Sequence, residues 1–310
     1  MLYLVTGTSG FIGGRLAFSL ANNGNKVLAP NRKNSKPFLD HSNISTCNYI
    51  DLLNNNLVSQ CSGIYHCASV TVTNVKGTSN NYFDNIELIT IISKVISIAK
   101  PDFVVFTSSV SIYGLISTKQ LYFDNPIQSV NQYGATKLES EKILKEISEK
   151  NATSCYIFRL PGIVGYGSTG NLISRIINTL SNPNNDLTIS LTNPNSLFNN
   201  IVDIQTLLSY FENIRVNPKY SSAYINTLLC STNACKFSDI PILISKFLMK
   251  SENLGRLSWL KKKTPSFTID SSCQIKHGFI PETTENSIKK ACIDILSFGN
   301  HKMDKNHKST

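Results

Sequence analysis

Short runs rich in β-branched and aromatic residues alternate, through the first half of the chain, with longer stretches whose apolar positions recur every three to four residues. The runs at 2–6, 26–29, 63–67, 103–108 and 154–160 read as buried strands. The stretches 13–22, 82–99 and 132–150 read as amphipathic helices. Such alternation predicts an α/β fold: a doubly wound parallel sheet with helices on both faces. After Pro161 the pattern becomes irregular. Asn, Pro and Gly cluster at 165–171 and 182–200 around a helix-like run at 172–180. A strand at 223–229 and helices at 240–249 and 285–296 follow. The organisation expected is a sheet domain over 1–165, a smaller C-terminal substrate-binding lobe over 166–298 with some elements returning to the first domain, and a polar, flexible tail over 299–310.

Composition narrows the class. The 310 residues are 41% hydrophobic and 16% charged, and the polar remainder is mostly Asn, Ser and Thr, so a packed core is expected rather than disorder. The longest apolar stretch, 86–99, carries Glu87 and Lys94 and is too short to span a bilayer. A strand beginning at Leu2 leaves no room for a secretory leader, so the expected location is cytoplasmic. Eight cysteines show neither a CxxC pair nor a histidine at zinc-finger spacing, and read as free buried thiols with no metal. The net charge of +10 suits nucleic acid, an anionic membrane surface or anionic small molecules, and composition alone does not choose among them.

The first strand runs directly into Gly7-Thr8-Ser9-Gly10-Phe11-Ile12-Gly13, which opens a helix. A glycine triplet in that context is a dinucleotide-binding signature. Gly7 permits a tight turn, Gly10 lets the backbone approach a pyrophosphate, and Gly13 allows close packing of helix on strand. Phe11 and Ile12 begin the helix, whose free N–H groups and dipole favour an anion. The acid that would hold the adenosine ribose of NAD is expected at the end of the second strand. That strand ends Ala29-Pro30-Asn31-Arg32-Lys33. Asn31 stands in the acid's place, and Arg32 with Lys33 would hold a 2′-phosphate. NADP is therefore the expected cofactor and NAD the alternative; a merely solvated basic turn is the competing reading.

Tyr133 and Lys137 stand four apart at the start of a predicted helix, on one face. Ser109 falls at the carboxyl end of the strand over 103–108, where ligands bind in parallel sheets. Hydride transfer at an alcohol or ketone carbon requires a proton to move on or off the oxygen. A phenol with a pKa near 10 is a poor base at neutral pH. An ammonium at Lys137 would stabilise the phenolate, and Ser109 would orient the reacting oxygen.

With these motifs in order, the chain resembles an extended short-chain dehydrogenase/reductase of the NAD-dependent epimerase/dehydratase family, with a Rossmann-type domain, over nearly residues 1–296. The resemblance implies that Asp51 and Leu52 contact adenine, that Cys67, Ala68 and Ser69 form the turn beside the cofactor, and that Asn85, Thr107 and Pro161 join the cofactor site. Arg159-Leu160-Pro161-Gly162, Asn200-Ile201-Val202-Asp203 and His277-Gly278-Phe279-Ile280-Pro281 resemble later motifs of the family. It also implies Ser109, Tyr133 and Lys137 as the catalytic trio, and Ser109, Ser111, Asn171, Leu172 and Arg175 toward a nucleotide-activated sugar. A homodimer through helices 82–99 and 132–150 is a further implication, although packing on the sheet explains their apolar faces equally well.

Departures narrow the activity. Dehydratases of the family carry Asp and Glu after the serine or threonine; Val110 and Ser111 stand there, and neither moves the required proton. The arginine usual before the "V-D-D" segment is absent, with Asn195, Ser196 and Leu197 in its neighbourhood, so UDP-sugar binding in the usual geometry is not implied. Asn31 and Arg32 favour a keto-sugar reductase using NADPH, with a nucleotide-sugar 4-epimerase as alternative. A non-catalytic NADP sensor or RNA-binding protein on this fold is a more remote reading; it has no use for the Ser109, Tyr133, Lys137 trio. Neither nucleic acid nor membrane finds a second signal.

Overall fold

The computed structural model describes the chain except residues 33–34, 71–80, 129, 182–188, 218–222, 250–256, 261–265 and 307–310, with backbone alone at 81–82 and 299–306. It forms two compact units, Met1–Leu115 with Pro126–Arg159 and Leu208–Thr227, and Ile116–Asn125 with Leu160–Leu207 and Leu228–Thr310. Residues 208–227 belong to the first unit, and 116–125 belong to the second.

The first unit is built on seven strands: β1 (Leu2–Thr6), β2 (Lys26–Asn31), β3 (Ile44–Asn48), β4 (Gly63–His66), β5 (Phe103–Ser109), β6 (Ser154–Leu160) and β7 (Tyr224–Leu228). They form one sheet in the order β7-β6-β5-β4-β1-β2-β3. Parallel pairing joins β3 to β2, β2 to β1, β1 to β4 and β4 to β5. The strand order turns outward from β1 in both directions, which opens a crevice at the carboxyl ends of β1 and β4. Helices α1 (Phe11–Asn22), α2 (Asn81–Ala99) and α3 (Gln132–Lys150) make the crossovers. Leu4 of β1, Ile64 of β4 and Val104 and Phe106 of β5 meet Ile89, Ile92, Val95 and Ile96 of α2 and Leu144 of α3 in one core. The last turns of a helix over Ile204–Val216 bring Phe211 against Tyr65 and Phe158, and the Tyr65 hydroxyl donates to the Phe211 carbonyl at 3.3 Å.

The predicted strands and the first three helices fall within two residues of their expected limits. β3 was not expected: Ile-Ser-Thr-Cys-Asn alternates weakly and is largely exposed, and it is a strand because β2 supplies a parallel partner. In the second unit Gly162–Val164 pairs parallel with Ile201–Asp203, and the helices Leu172–Ser181, Asp239–Leu248 and Thr284–Asn306 enclose a separate core of Ile176, Ile177, Ile244 and Ile288. The last helix runs to Asn306, so the expected flexible tail is helical over most of its length. No helix of the described residues is long and apolar enough to cross a membrane.

Candidate active site

The turn after β1 shows why it needs glycine. Gly7 has φ of +73°, and a Cβ there would lie 2.8 Å from the Ala68 nitrogen. A Cβ on Gly13 would lie 2.5 Å from the Gly7 carbonyl oxygen, so no side chain fits between helix and turn. Gly10 caps α1 without a side-chain hydrogen bond, which leaves the N–H groups of Phe11, Ile12 and Gly13 facing outward for an anion.

Above this turn lies a cavity of about 270 Å³, walled by Gly7, Gly10, Asn31, Arg32, Tyr49 and Ser69 among others, with Cys67 and Ala68 also lining it. Gly7, Gly10, Asn31, Arg32, Cys67, Ala68 and Ser69, which the sequence predicts beside a cofactor, therefore line one cavity. Arg32 is exposed at the rim, while Lys33 lies outside the described residues. Asn31 is 5% exposed. Its Oδ1 accepts the Thr8 hydroxyl at 2.9 Å, whereas its Nδ2 is buried with no protein partner. A buried donor without an acceptor costs roughly 1–3 kcal/mol. A ribose or phosphate oxygen would satisfy it, so these residues fit a dinucleotide.

Other expected residues serve the frame. Asp51 is exposed and accepts from Asn48 Nδ2 at 3.2 Å, Leu52 is buried in the core, and neither lines the cavity. Asn85 is buried; its Oδ1 accepts from Val70 N at 2.8 Å, and its Nδ2 donates to Val70 O at 3.1 Å and Thr136 Oγ1 at 3.3 Å. That carboxamide fastens the loop after β4 to α3. Tyr49 was missed by sequence reasoning. Its ring lies at the cavity wall beyond the edge strand, and burial raises its phenol to about 12. A tyrosine following the carboxyl end of a strand was the available signal, but β3 itself was not legible.

Of the three residues expected to be catalytic, Ser109 ends β5, and Tyr133 and Lys137 stand one turn apart at the start of α3. Lys137 is 4% exposed; its Nζ donates to the Thr107 carbonyl at 2.7 Å and stands 4.7 Å above the Phe106 ring. Burial lowers its pKa to about 8 against the raising effects of Cys67 and Glu141. Burial raises Tyr133 above its ordinary 10, opposed by the nearby Ser69 hydroxyl. Ser109 Oγ accepts the Ser111 N–H at 3.1 Å, which leaves the serine's own proton to donate. Thr107 Oγ1 donates to the His66 carbonyl at 3.3 Å. His66 stacks on Phe106 and its Nδ1 shares a hydrogen bond with the Thr6 hydroxyl at 2.8 Å; burial lowers its pKa to about 3. Among the described residues no cluster suits a metal.

In the second unit Asn171 caps the helix Leu172–Ser181. Its Oδ1 accepts from Ser174 N at 2.8 Å and its Nδ2 donates to the Ile163 carbonyl at 2.7 Å, so the carboxamide is already engaged. An asparagine directly before an apolar helix is a readable capping signal. Arg175 is exposed, and Pro161 is half-buried. Leu172 lines a cavity of about 230 Å³ with Asn193, Phe198, Asn200, Phe237 and Phe267, and the Asn200 Oδ1 is a buried acceptor with no partner. Neither arginine nor lysine lines it among the described residues.

A family model described as the NAD dependent epimerase/dehydratase family matches residues 3–195. No curated protein matches the sequence significantly. Solved structures share the fold. UDP-N-acetylglucosamine 4-epimerase of Bacillus cereus is 16% identical, with a TM-score of 0.72 over 95% of this chain and 99% of its own. UDP-glucose 4-epimerase of Thermotoga maritima, solved with UDP-glucose, is 13% identical, with 0.76 over 96% and 99%. UDP-glucuronic acid 4-epimerase of Bacillus cereus, solved with NAD, is 18% identical, with 0.71 over 96% and 99%.

Proposed function

The chain belongs to the NAD dependent epimerase/dehydratase family, and from that premise we propose that it epimerises a nucleotide-activated sugar by oxidising one carbinol carbon and reducing it again. The observation that carries this reading is the pairing of Tyr133 and Lys137 on α3, the lysine bonded to the Thr107 carbonyl two residues before Ser109 at the end of β5, in the unit that holds the cavity beside the glycine turn, with Val110 and Ser111 where elimination of water would need acids. Solved neighbours named as UDP-sugar 4-epimerases support it.

The nicotinamide cofactor, held by the glycine turn, the start of α1 and Asn31, supplies hydride acceptance and return. This chain's residues move the proton. Tyr133 takes the hydroxyl proton of the sugar and gives it back at the same oxygen. Lys137, as ammonium, lowers the cost of the phenolate, and its bond to the Thr107 carbonyl fixes its position. Ser109 donates its free proton to the reacting oxygen and orients it. Ser111 is assigned to the sugar end. The second unit's own cavity, with the Phe198 and Phe237 rings and the unpartnered Asn200 acceptor, has the chemistry of a site for an aromatic base. All eight cysteines are free, which supports a reducing compartment such as the cytoplasm.

A second reading, NADPH-dependent reduction of a keto-sugar, is favoured by the partnerless Asn31 donor and Arg32 at the cavity rim. One experiment separates the two. Purified protein is incubated with a panel of nucleotide sugars and their keto forms and followed by proton NMR, with absorbance at 340 nm recorded alongside. Epimerisation appears as a new sugar at constant absorbance, and reduction as stoichiometric loss of NADPH. Failure of every sugar to change in either mode overturns both readings.

A further inference from the structure

The reaction makes no use of the buried pair of Glu141 and Arg159, yet the pair surrounds its centre. Glu141 lies one helical turn beyond Lys137 on α3. Its Oε1 accepts from Ser108 Oγ at 2.5 Å and from Arg159 Nε at 3.1 Å. Its Oε2 accepts from Arg159 Nη2 at 2.8 Å and from Asn226 Nδ2 at 3.0 Å. Arg159 then donates from Nη1 to the Tyr113 hydroxyl at 2.9 Å. Ser108 immediately precedes Ser109, and Tyr113 closes the single turn, Val110–Tyr113, that follows it. At the start of α3, a Cβ on Gly134 would collide with the Ser111 carbonyl oxygen, so this turn and the backbone beside Tyr133 are in direct contact.

We propose that Glu141 and Arg159 are positioning residues, which hold Ser109 in register with Tyr133 and Lys137 and present a fixed negative charge to the Lys137 ammonium. The inference rests on the trio being the reacting groups. Both residues are under 10% exposed. Stability alone does not explain such a pair, because desolvation offsets its attraction and an apolar pair of similar volume commonly serves as well. What an apolar pair cannot do is tie a strand end, a helix and the next turn to one carboxylate. The titratable groups facing Lys137 are His66 and Cys67 from β4 and its end, and Tyr133 and Glu141 from α3; β5 offers the Phe106 ring and the Thr107 carbonyl. The Cys67 thiol is raised to about 12 and His66 is neutral near pH 7, so Glu141 is the group that supports a cation there.

The test is the double variant Glu141→Gln with Arg159→Met, which removes both charges of the ion pair together, so that neither partner is left unpaired. Protein labelled with ¹³C at the lysine ε-carbons is titrated by NMR, and the Lys137 signal is the one missing from Lys137→Met. The expected midpoint lies near 8 in wild type and about one unit lower in the double variant. Turnover is expected to fall roughly tenfold to a hundredfold, with KM and cofactor Kd within about twofold. A folded double variant that titrates and turns over like wild type overturns the proposal. Should it fail to fold, Ser108→Ala keeps the ion pair and removes only the strand-end hydrogen bond; a several-fold loss of kcat at constant KM is expected, and unchanged kcat overturns the proposal. A wild-type protein inert toward every sugar refutes the epimerase reading instead, while the lysine titration, which needs no substrate, still decides whether Glu141 acts on Lys137.

Discussion

The Lys137 ammonium nitrogen lies 5.7 Å from the centre of the Tyr133 ring, one turn along the same helix. Helical geometry sets this separation, and the bond from Lys137 to Thr107 prevents the lysine from swinging away. The phenol is raised by burial and the amine lowered, so the two ordinary pKa values near 10 are pushed apart.

Tyr133→Phe keeps the ring and removes the proton carrier. Turnover is expected to drop by about three orders of magnitude or more, with cofactor Kd unchanged by fluorescence titration. Substantial residual activity would show that another group moves the proton.

The lowered lysine pKa gives opposite signs for activity and stability. Lys137 loses its proton above about 8 in the folded protein and near 10.5 when unfolded. Activity that requires the ammonium is therefore expected to decline as pH rises through 8. Between those two values the unfolded chain binds the extra proton, so this group's contribution to stability increases with pH. Initial rates and urea midpoints, measured at half-unit steps from pH 7 to 10, check both signs; Lys137→Met should remove the stability slope.

Asn31→Asp places a carboxylate where Nδ2 now lies. Affinity for NADPH is expected to fall by roughly tenfold relative to NADH, through charge repulsion at a 2′-phosphate. Arg32→Ala should weaken NADPH selectively. Calorimetric titration of both cofactors into each variant measures this, and identical cofactor ratios in all three proteins would remove the argument for NADP.

Gly13→Ala inserts a methyl group 2.5 Å from the Gly7 carbonyl, a backbone atom that cannot rotate aside. A loss of about 1–3 kcal/mol is expected by chemical denaturation, together with weaker cofactor binding. Unchanged stability and affinity would mean that helix and turn separate easily.

Acid should destabilise the first unit through His66. Its pKa is about 3 folded and 6.5 unfolded, so the unfolded chain gains a proton that the native site refuses, and stability falls as pH drops from 6.5 toward 3. In full that shift corresponds to about 5 kcal/mol. His66→Phe retains a ring against Phe106 and should flatten the dependence between pH 7 and 4.5 in urea titrations, even if its midpoint at pH 7 is lower.

The glycine turn, Tyr133 with Lys137, and Ser109 were readable because each depends on neighbours along the chain: a strand leading into a turn, a helical spacing, a strand end. Tyr49 depends on the exposed edge strand β3, whose five residues carry little hydrophobic signal. The role of Asn85 depends on partners fifteen and fifty-one positions away. Glu141 follows Lys137 at the same spacing that links Lys137 to Tyr133, but its partners on β6 and β7 become neighbours only when the sheet closes. Long-range polar contacts leave almost no trace in local pattern.

The carboxamide held by Thr8 has a consequence at the level of the gene. Codons for asparagine and aspartate differ by one purine, and the Thr8 hydroxyl that donates to the Asn31 Oδ1 at 2.9 Å would donate equally to a carboxylate oxygen. If residue 31 selects the cofactor as proposed, a single transition mutation is enough to change the preference.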